Sequence, residues 1–367
     1  MATNHLREIE AEGQAVWLDN ISRALIEDGD LERLITEDGV SGVTSNPTIF
    51  EKAIAGTDRY ADALEEAARK GMNARDTFFE LGFRDIRDGA DMLREVFERT
   101  EGQDGYVSFE LPPELADDAQ GSVEQAKVIR ARIDRPNVLI KVPGTEAGVQ
   151  AFEELTAAGV SVNVTLLFSV KRYEEVAEAY IRGLERRLEA GEPIDRIASV
   201  ASFFVSRVDG KVDKALEELG RTDLQGKAAV ANARVAYDSF KKIFAGERWE
   251  KLAAAGANVQ RPLWASTSVK NPDYPDTMYV DELIGPDTVN TMPDATVEAA
   301  RDHGKAARTV DKDVEGAYAL LDELREIGVD FDHIVDVELV EEGVASFTKS
   351  FDSMIASIEE KAAAVAS

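Results

Sequence analysis

Eight short apolar runs, separated by longer amphipathic stretches, constrain this chain more than any other feature of its sequence. They are AVWLDNI at 15–21, VSGVTS at 40–45, YVSFEL at 106–111, VLIKV at 138–142, SVNVTLLF at 161–168, ASVASFF at 198–204, RPLWAST at 261–267 and TVNTM at 288–292. Between them the period turns helical: Val149, Phe152 and Leu155 share one face of 145–157, and 171–190 is rich in Glu, Arg and Ala. Apolar strands alternating with amphipathic helices predict a parallel sheet covered by helical crossovers. Eight such units in 367 residues favour an α/β chain closed into a (β/α)8 TIM barrel over an open doubly wound sheet. No Pro-, Gly- or Ser-rich linker interrupts the sequence, so residues 1–367 are expected to form one barrel domain.

Near the end of the chain, Val340, Val344, Phe347, Phe351, Met354 and Ile358 recur at alternating spacings of four and three. This stripe spans too little chain for a coiled coil. It predicts a helical extension over 335–365 docked on the barrel wall, with a dimer contact as the alternative.

Composition narrows the chemistry. There are no cysteines, which removes disulfides, thiolate metal sites and a cysteine nucleophile. His5, His303 and His333 lie far apart without ligand spacing, so neither a zinc site nor a histidine triad is expected. The formal charge of -29 argues against nucleic-acid or anionic-membrane binding. The polar start MATNHLREIEAEG lacks the apolar core of a signal peptide, and no apolar run is long enough to span a bilayer. A soluble, cytoplasmic protein is expected.

Within this frame Lys141 is anomalous, because it interrupts the apolar run VLIKV just before Pro143 and Gly144. Strand side chains alternate, so Lys141 shares a face with Leu139 while Val138, Ile140 and Val142 point the other way. A strand-end lysine that simply reaches water is the ordinary reading. If both faces are covered, however, the amine is forced into a pocket, where its neutral form is a nucleophile toward carbonyls.

Other polar residues obey the rule that barrel enzymes draw their reactive groups from the C-terminal ends of strands. Asp19, Asn46, Glu110, Asn163, Thr165, Ser202, Arg207, Ser266 and Lys270 all fall in or just after predicted strands. Each has a structural reading: Asn46 before Pro47 suits a helix N-cap, Asp19 suits a surface ion pair, and Asn163 and Ser202 suit satisfied core positions. Together they would line one mouth with more polar atoms than a structural barrel requires.

Four segments resemble the transaldolases in order and spacing. They are GVTSNPTIF at 42–50, VLIKVPGTEAGVQAFEEL at 138–155, VNVTLLFS at 162–169 and SFFVSR at 202–207. The resemblance runs from about residue 15 to 300, and the length is similar to the longer, actinobacterial-type branch. It implies a class I aldolase barrel without metal or organic cofactor that moves a dihydroxyacetone unit between sugar phosphates in the non-oxidative pentose phosphate pathway. Carried over by motif, Lys141 forms the imine, Asp19 is acid and base at the hydroxyl next to the cleaved bond, and Glu110 with Thr165 shuttles protons through a water. Asn46 and Asn163 would hold hydroxyls, while Ser202, Arg207 and Ser266 would bind phosphate. The family's arginine two residues after the seventh-strand serine is here Ser268, so Lys270 is the expected substitute. Because the substrates are anions and the chain carries -29, a local cationic cluster is required. Two alternatives stay open: a fructose 6-phosphate aldolase-like lyase, against which Glu110 argues, and a non-catalytic sugar-phosphate-binding barrel. A homodimer is possible.

Overall fold

A computed structural model describes residues 4–365. Eight parallel strands close on themselves in the order β1-β2-β3-β4-β5-β6-β7-β8. They are β1 Gln14–Leu18, β2 Gly42–Val43, β3 Val107–Glu110, β4 Val138–Pro143, β5 Val162–Leu167, β6 Ser199–Phe204, β7 Gln260–Ala265 and β8 Thr288–Met292. Each coincides with one of the eight apolar runs. Such runs are continuous because strands in a barrel are covered on both faces, by the interior and by the surrounding helices. The helices predicted at 145–157 and 171–190 form at Glu146–Ala157 and Val170–Glu189.

Close packing at strand ends aims the side chains that follow. Gly42 opens β2 against the indole of Trp17, where an added Cβ would come within 2.3 Å of the ring. After β4 the chain turns at once into a helix. Thr145 caps it through Gly148 N at 3.0 Å, and a Cβ on Gly148 would lie 1.8 Å from Pro143 O. Lys141, two residues before Pro143, is thus fixed on rigid strand rather than on loop.

Behind Asp19, Arg23 and Asp85 form a buried ion pair at 3.1 Å, and Tyr60 donates to the same carboxylate at 2.7 Å. This pair ties the short helix Arg23–Glu27, which follows β1, to the helix Ala74–Met92.

The apolar stripe near the chain end does form a helix, Leu339–Val365, with Phe347, Phe351, Met354 and Ile358 buried against this same chain. Its position refines the expectation. It docks on the barrel's outer helices Pro47–Gly56, Ala61–Arg69 and Ala74–Met92 and also reaches β5, so that it lines the barrel mouth as well. No helix among the described residues is long and apolar enough to cross a membrane.

Candidate active site

The register of the sheet builds the site. Glu110 pairs with Lys141 across β3 and β4, and Lys141 pairs with Asn163 across β4 and β5, so the three side chains form one row facing the interior. Lys141 is 5% exposed, which settles the choice left open by its sequence: the amine is inside. Its Nζ donates to Ser45 O at 3.0 Å and to Glu110 Oε2 at 3.1 Å. A buried ammonium needs such partners.

Asp19 follows β1 and is held by Thr44, whose hydroxyl donates to Oδ1 at 2.6 Å and is itself 2.7 Å from the Thr291 hydroxyl. Burial pushes the carboxyls of Asp19 and Glu110 above their ordinary values. For Asp19 the hydrogen bond from Thr44 and the charge of Lys141 oppose this rise, and for Glu110 the charge and hydrogen bond of Lys141 do. Each carboxyl is therefore a stronger base than in water while remaining within the field of one cation.

A cavity of about 340 Å³ opens over this row. Asp19, Asn46, Lys141, Thr165, Ser202, Arg207, Ser266 and Lys270 line it. The other two predicted residues sit one hydrogen bond behind. Glu110 reaches it through Lys141, and Asn163 accepts from Ser202 Oγ at 2.6 Å and donates to Ser108 Oγ at 3.1 Å. Asn46 plays its structural role as well, capping the helix Pro47–Gly56 by accepting from Ile49 N at 3.0 Å. Thr165 differs from all of these. Its hydroxyl is buried and has no hydrogen-bond partner, next to a register shift in β5 and to Leu166 at φ +58°. A buried hydroxyl left unpaired costs free energy, and such positions are kept where a ligand or water supplies the partner.

The outer part of the cavity is cationic. Arg207 stacks over the Phe204 ring at 5.4 Å and forms no ion pair among the described residues. The acid whose charge acts on it, Glu342, is taken by Lys211 at 2.5 Å. Lys270 donates to Ser268 Oγ at 2.8 Å, so the departure from the family pattern is a Ser–Lys pair facing the cavity. Lys52, on the helix Pro47–Gly56, also lines it without an ion pair among the described residues. Sequence reasoning missed Lys52, Thr44, Ser346 and Phe347. Thr44 lies inside the first quoted motif, which was a usable signal, whereas nothing in the sequence aims Lys52 or Phe347 at this cavity.

The loop carrying Ser266 to Lys270 is clamped to the helix that carries Arg207, Ser206–Glu218. Ser266, at φ +54°, is 3.0 Å from the Ser206 hydroxyl. Farther along, Tyr274 donates to Asp213 at 2.6 Å and Tyr279 to Asp209 at 2.8 Å. The site is not the largest hollow in the protein; one of about 600 Å³ between the helices Ala228–Ile243 and Val314–Glu326 lacks this convergence of amine, acids and unpaired cations. Chemistry rather than size selects the barrel mouth.

Residues 16–358 match the profile described as Transaldolase/Fructose-6-phosphate aldolase. The chain belongs to this family. Among its relatives, a protein named Transaldolase 2 from Nostoc punctiforme is 46% identical over 98% of both chains. One named Transaldolase from Acidothermus cellulolyticus is 48% identical over 97% of this chain and 96% of its own. One named Transaldolase 2 from Streptomyces avermitilis is 46% identical over 97% of both.

Proposed function

We propose that this protein is a transaldolase working through an imine on Lys141, with fructose 6-phosphate or sedoheptulose 7-phosphate as donor and an aldose phosphate as acceptor. One observation carries the reading: a lysine amine, 5% exposed, stands 3.1 Å from a buried carboxylate at the floor of a cavity whose outer wall holds unpaired cations. Burial raises the basicity of Glu110, which makes transfer of the ammonium proton to it less uphill and frees the amine to attack the ketose carbonyl. The carbinolamine then loses water. Glu110 exchanges that proton with a water held by the unpaired Thr165 hydroxyl.

Asp19 takes the proton from the hydroxyl beside the scissile carbon–carbon bond, the aldose phosphate departs, and the iminium receives the electron pair as an enamine. Attack of the enamine on a second aldehyde and hydrolysis of the new imine complete the transfer. Asn46 and Asn163 would orient hydroxyls, with Asn163 acting together with Ser202. Arg207, Ser266, Lys270 and Lys52 would receive the phosphate, supplying positive charge against the chain's overall -29.

The same reading puts the protein in the cytoplasm, where sugar phosphates are found. A homodimer would need a surface other than the terminal stripe, because Phe347, Phe351, Met354 and Ile358 are buried within the chain. Borohydride reduction in the presence of fructose 6-phosphate tests the mechanism. The expected product is a three- or six-carbon adduct on the peptide containing Lys141; an adduct elsewhere, or none, sinks it. Release of dihydroxyacetone as fast without an acceptor as with one would favour the lyase reading instead.

A further inference from the structure

The C-terminal helix contributes to the cavity as well as to the fold. Its residues Ser346 and Phe347 line the space above Lys141, and the Phe347 ring centre stands 5.9 Å from Lys141 Nζ. The remainder of its apolar stripe faces elsewhere: Phe351 packs edge-on against Phe78 at 5.7 Å, and Met354 and Ile358 are fully buried. Phe347 is thus the stripe residue that faces the reacting amine.

The helix is held firmly in that place. Thr48 donates to Ser350 at 2.7 Å, Ser353 donates to Glu51 at 2.5 Å, and Lys361 donates to Ile54 O at 2.5 Å, so one turn after another is fastened to the helix Pro47–Gly56. Near its start, a Cβ on Gly343 would approach Leu166 Cδ2 to 2.8 Å, which brings this helix tightly onto the chain just after Thr165.

We propose that Phe347 keeps water from the lysine-bound three-carbon fragment and so sets the balance between transfer and release. The inference rests on the imine reading above. Release requires two reagents from solvent: a proton added to the nucleophilic carbon of the enamine, giving an iminium, and then a water molecule adding to the carbon–nitrogen double bond. Collapse of that adduct returns the amine to Lys141 and frees dihydroxyacetone. An aromatic wall beside the nitrogen disfavours the first step, which transfer does not share, by excluding the solvent that would deliver the proton. An acceptor aldehyde, bound through its phosphate at the cationic outer wall, carries its own carbonyl past this barrier.

The test compares Phe347→Ala, Phe347→Leu and Phe351→Leu in the full chain, measuring transfer to an aldose phosphate and release of free dihydroxyacetone from fructose 6-phosphate. For Phe347→Ala, release relative to transfer is expected to rise about tenfold, the response to about 1.4 kcal/mol of barrier. Phe347→Leu, which keeps an apolar contact, should raise it less, and it decides the matter if the alanine variant does not fold. Phe351→Leu loses an aromatic contact, with Phe78, one turn further along the helix and away from Lys141, so it should lower Tm and leave the ratio alone. An unchanged ratio in both Phe347 variants, or an equal rise in Phe351→Leu, overturns the proposal. Reductive trapping at Lys141 separates the two readings. Trapped adduct with an unchanged ratio defeats only the role of Phe347, whereas no adduct in the unaltered protein defeats the imine chemistry itself.

Discussion

Lys141 and Glu110 occupy opposed positions on neighbouring strands, and their side chains meet at 3.1 Å with both nearly sealed from solvent. Removing one partner from such a pair leaves an uncompensated buried charge, so each depends on the other for its state. Burial raises the Glu110 carboxyl from its ordinary 4.5, and Asp19 is raised for the same reason. Both act as bases only when ionised. The acidic limb of the kcat/KM profile should therefore lie above the ordinary carboxylate range, with activity lost as pH falls through it. Glu110→Gln should lower the rate of imine formation by about 10² to 10⁴ and remove one ionisation from that limb. Stopped-flow trapping across pH 4 to 9 measures both; an unaltered limb would falsify the assignment of Glu110.

Thr165 offers a separation of function from stability. Its hydroxyl is buried without a partner, so Thr165→Val removes a polar atom that gains nothing from the protein. Thermal unfolding should show unchanged stability or a gain of about 1 kcal/mol. Imine formation and hydrolysis should slow together, about tenfold or more, because the water they share loses its holder. A variant that loses stability and keeps its rate would show the hydroxyl to be structural.

The three unpaired cations predict a graded response to substrate charge. Arg207, with its planar fork, should contribute most, and Arg207→Ala should raise KM for fructose 6-phosphate by about a hundredfold, as for a lost charge-assisted pair of 1.5–3 kcal/mol. Lys52→Ala and Lys270→Ala remove exposed point charges and should each raise KM severalfold, about 1 kcal/mol. Unphosphorylated fructose should respond to none of the three. An effect of Lys52→Ala on fructose equal to its effect on the phosphate ester would remove it from the phosphate site.

The clamp beneath the phosphate loop is pH-sensitive in a definite direction. Asp209 is buried beside Asp213, accepts from Ala229 N at 2.7 Å and from Tyr279, and its carboxyl is pushed up from 3.8 to about 7. The folded protein holds this proton more tightly than the unfolded chain. That contribution to stability is complete below about pH 4 and fades as pH rises through about 7. Asp209→Asn presents similar hydrogen-bonding groups without the charge. The unfolding free energy of the natural protein minus that of the variant should be more favourable at pH 5 than at pH 8, by at most about 3 kcal/mol. Taking the difference cancels the effects of the remaining acidic surface. Equal differences at the two pH values would refute the role of Asp209.

Much of this arrangement was legible in the residues. All eight strands announced themselves as apolar runs because a barrel strand is buried on both faces, and the polar residues that broke those runs converge at one mouth. The limits are equally physical. β2 pairs over only Gly42–Val43, far less than its apolar run at 40–45, since Asn46 already caps the next helix. Asn163 and Thr165 look equivalent on an alternating strand, yet the register shift after Val164 leaves one bonded to Ser202 and the other unpartnered. For Phe347, periodicity identified the apolar face of the helix but carried no information about which part of the barrel that face would cover.

The fastening of the terminal helix has a consequence for how the protein is made. Thr48 and Ser350 are 302 positions apart, so the ribosome must deliver almost the whole chain before they can meet. Strands, hydrogen-bonded row and cationic wall all precede this helix in synthesis and so leave the ribosome before it. A nascent barrel therefore has its reactive amine before it has its roof. The roof arrives last, with the docking of a single helix, and a chain halted short of that helix would carry every group needed to capture a ketose but lack the wall above Lys141.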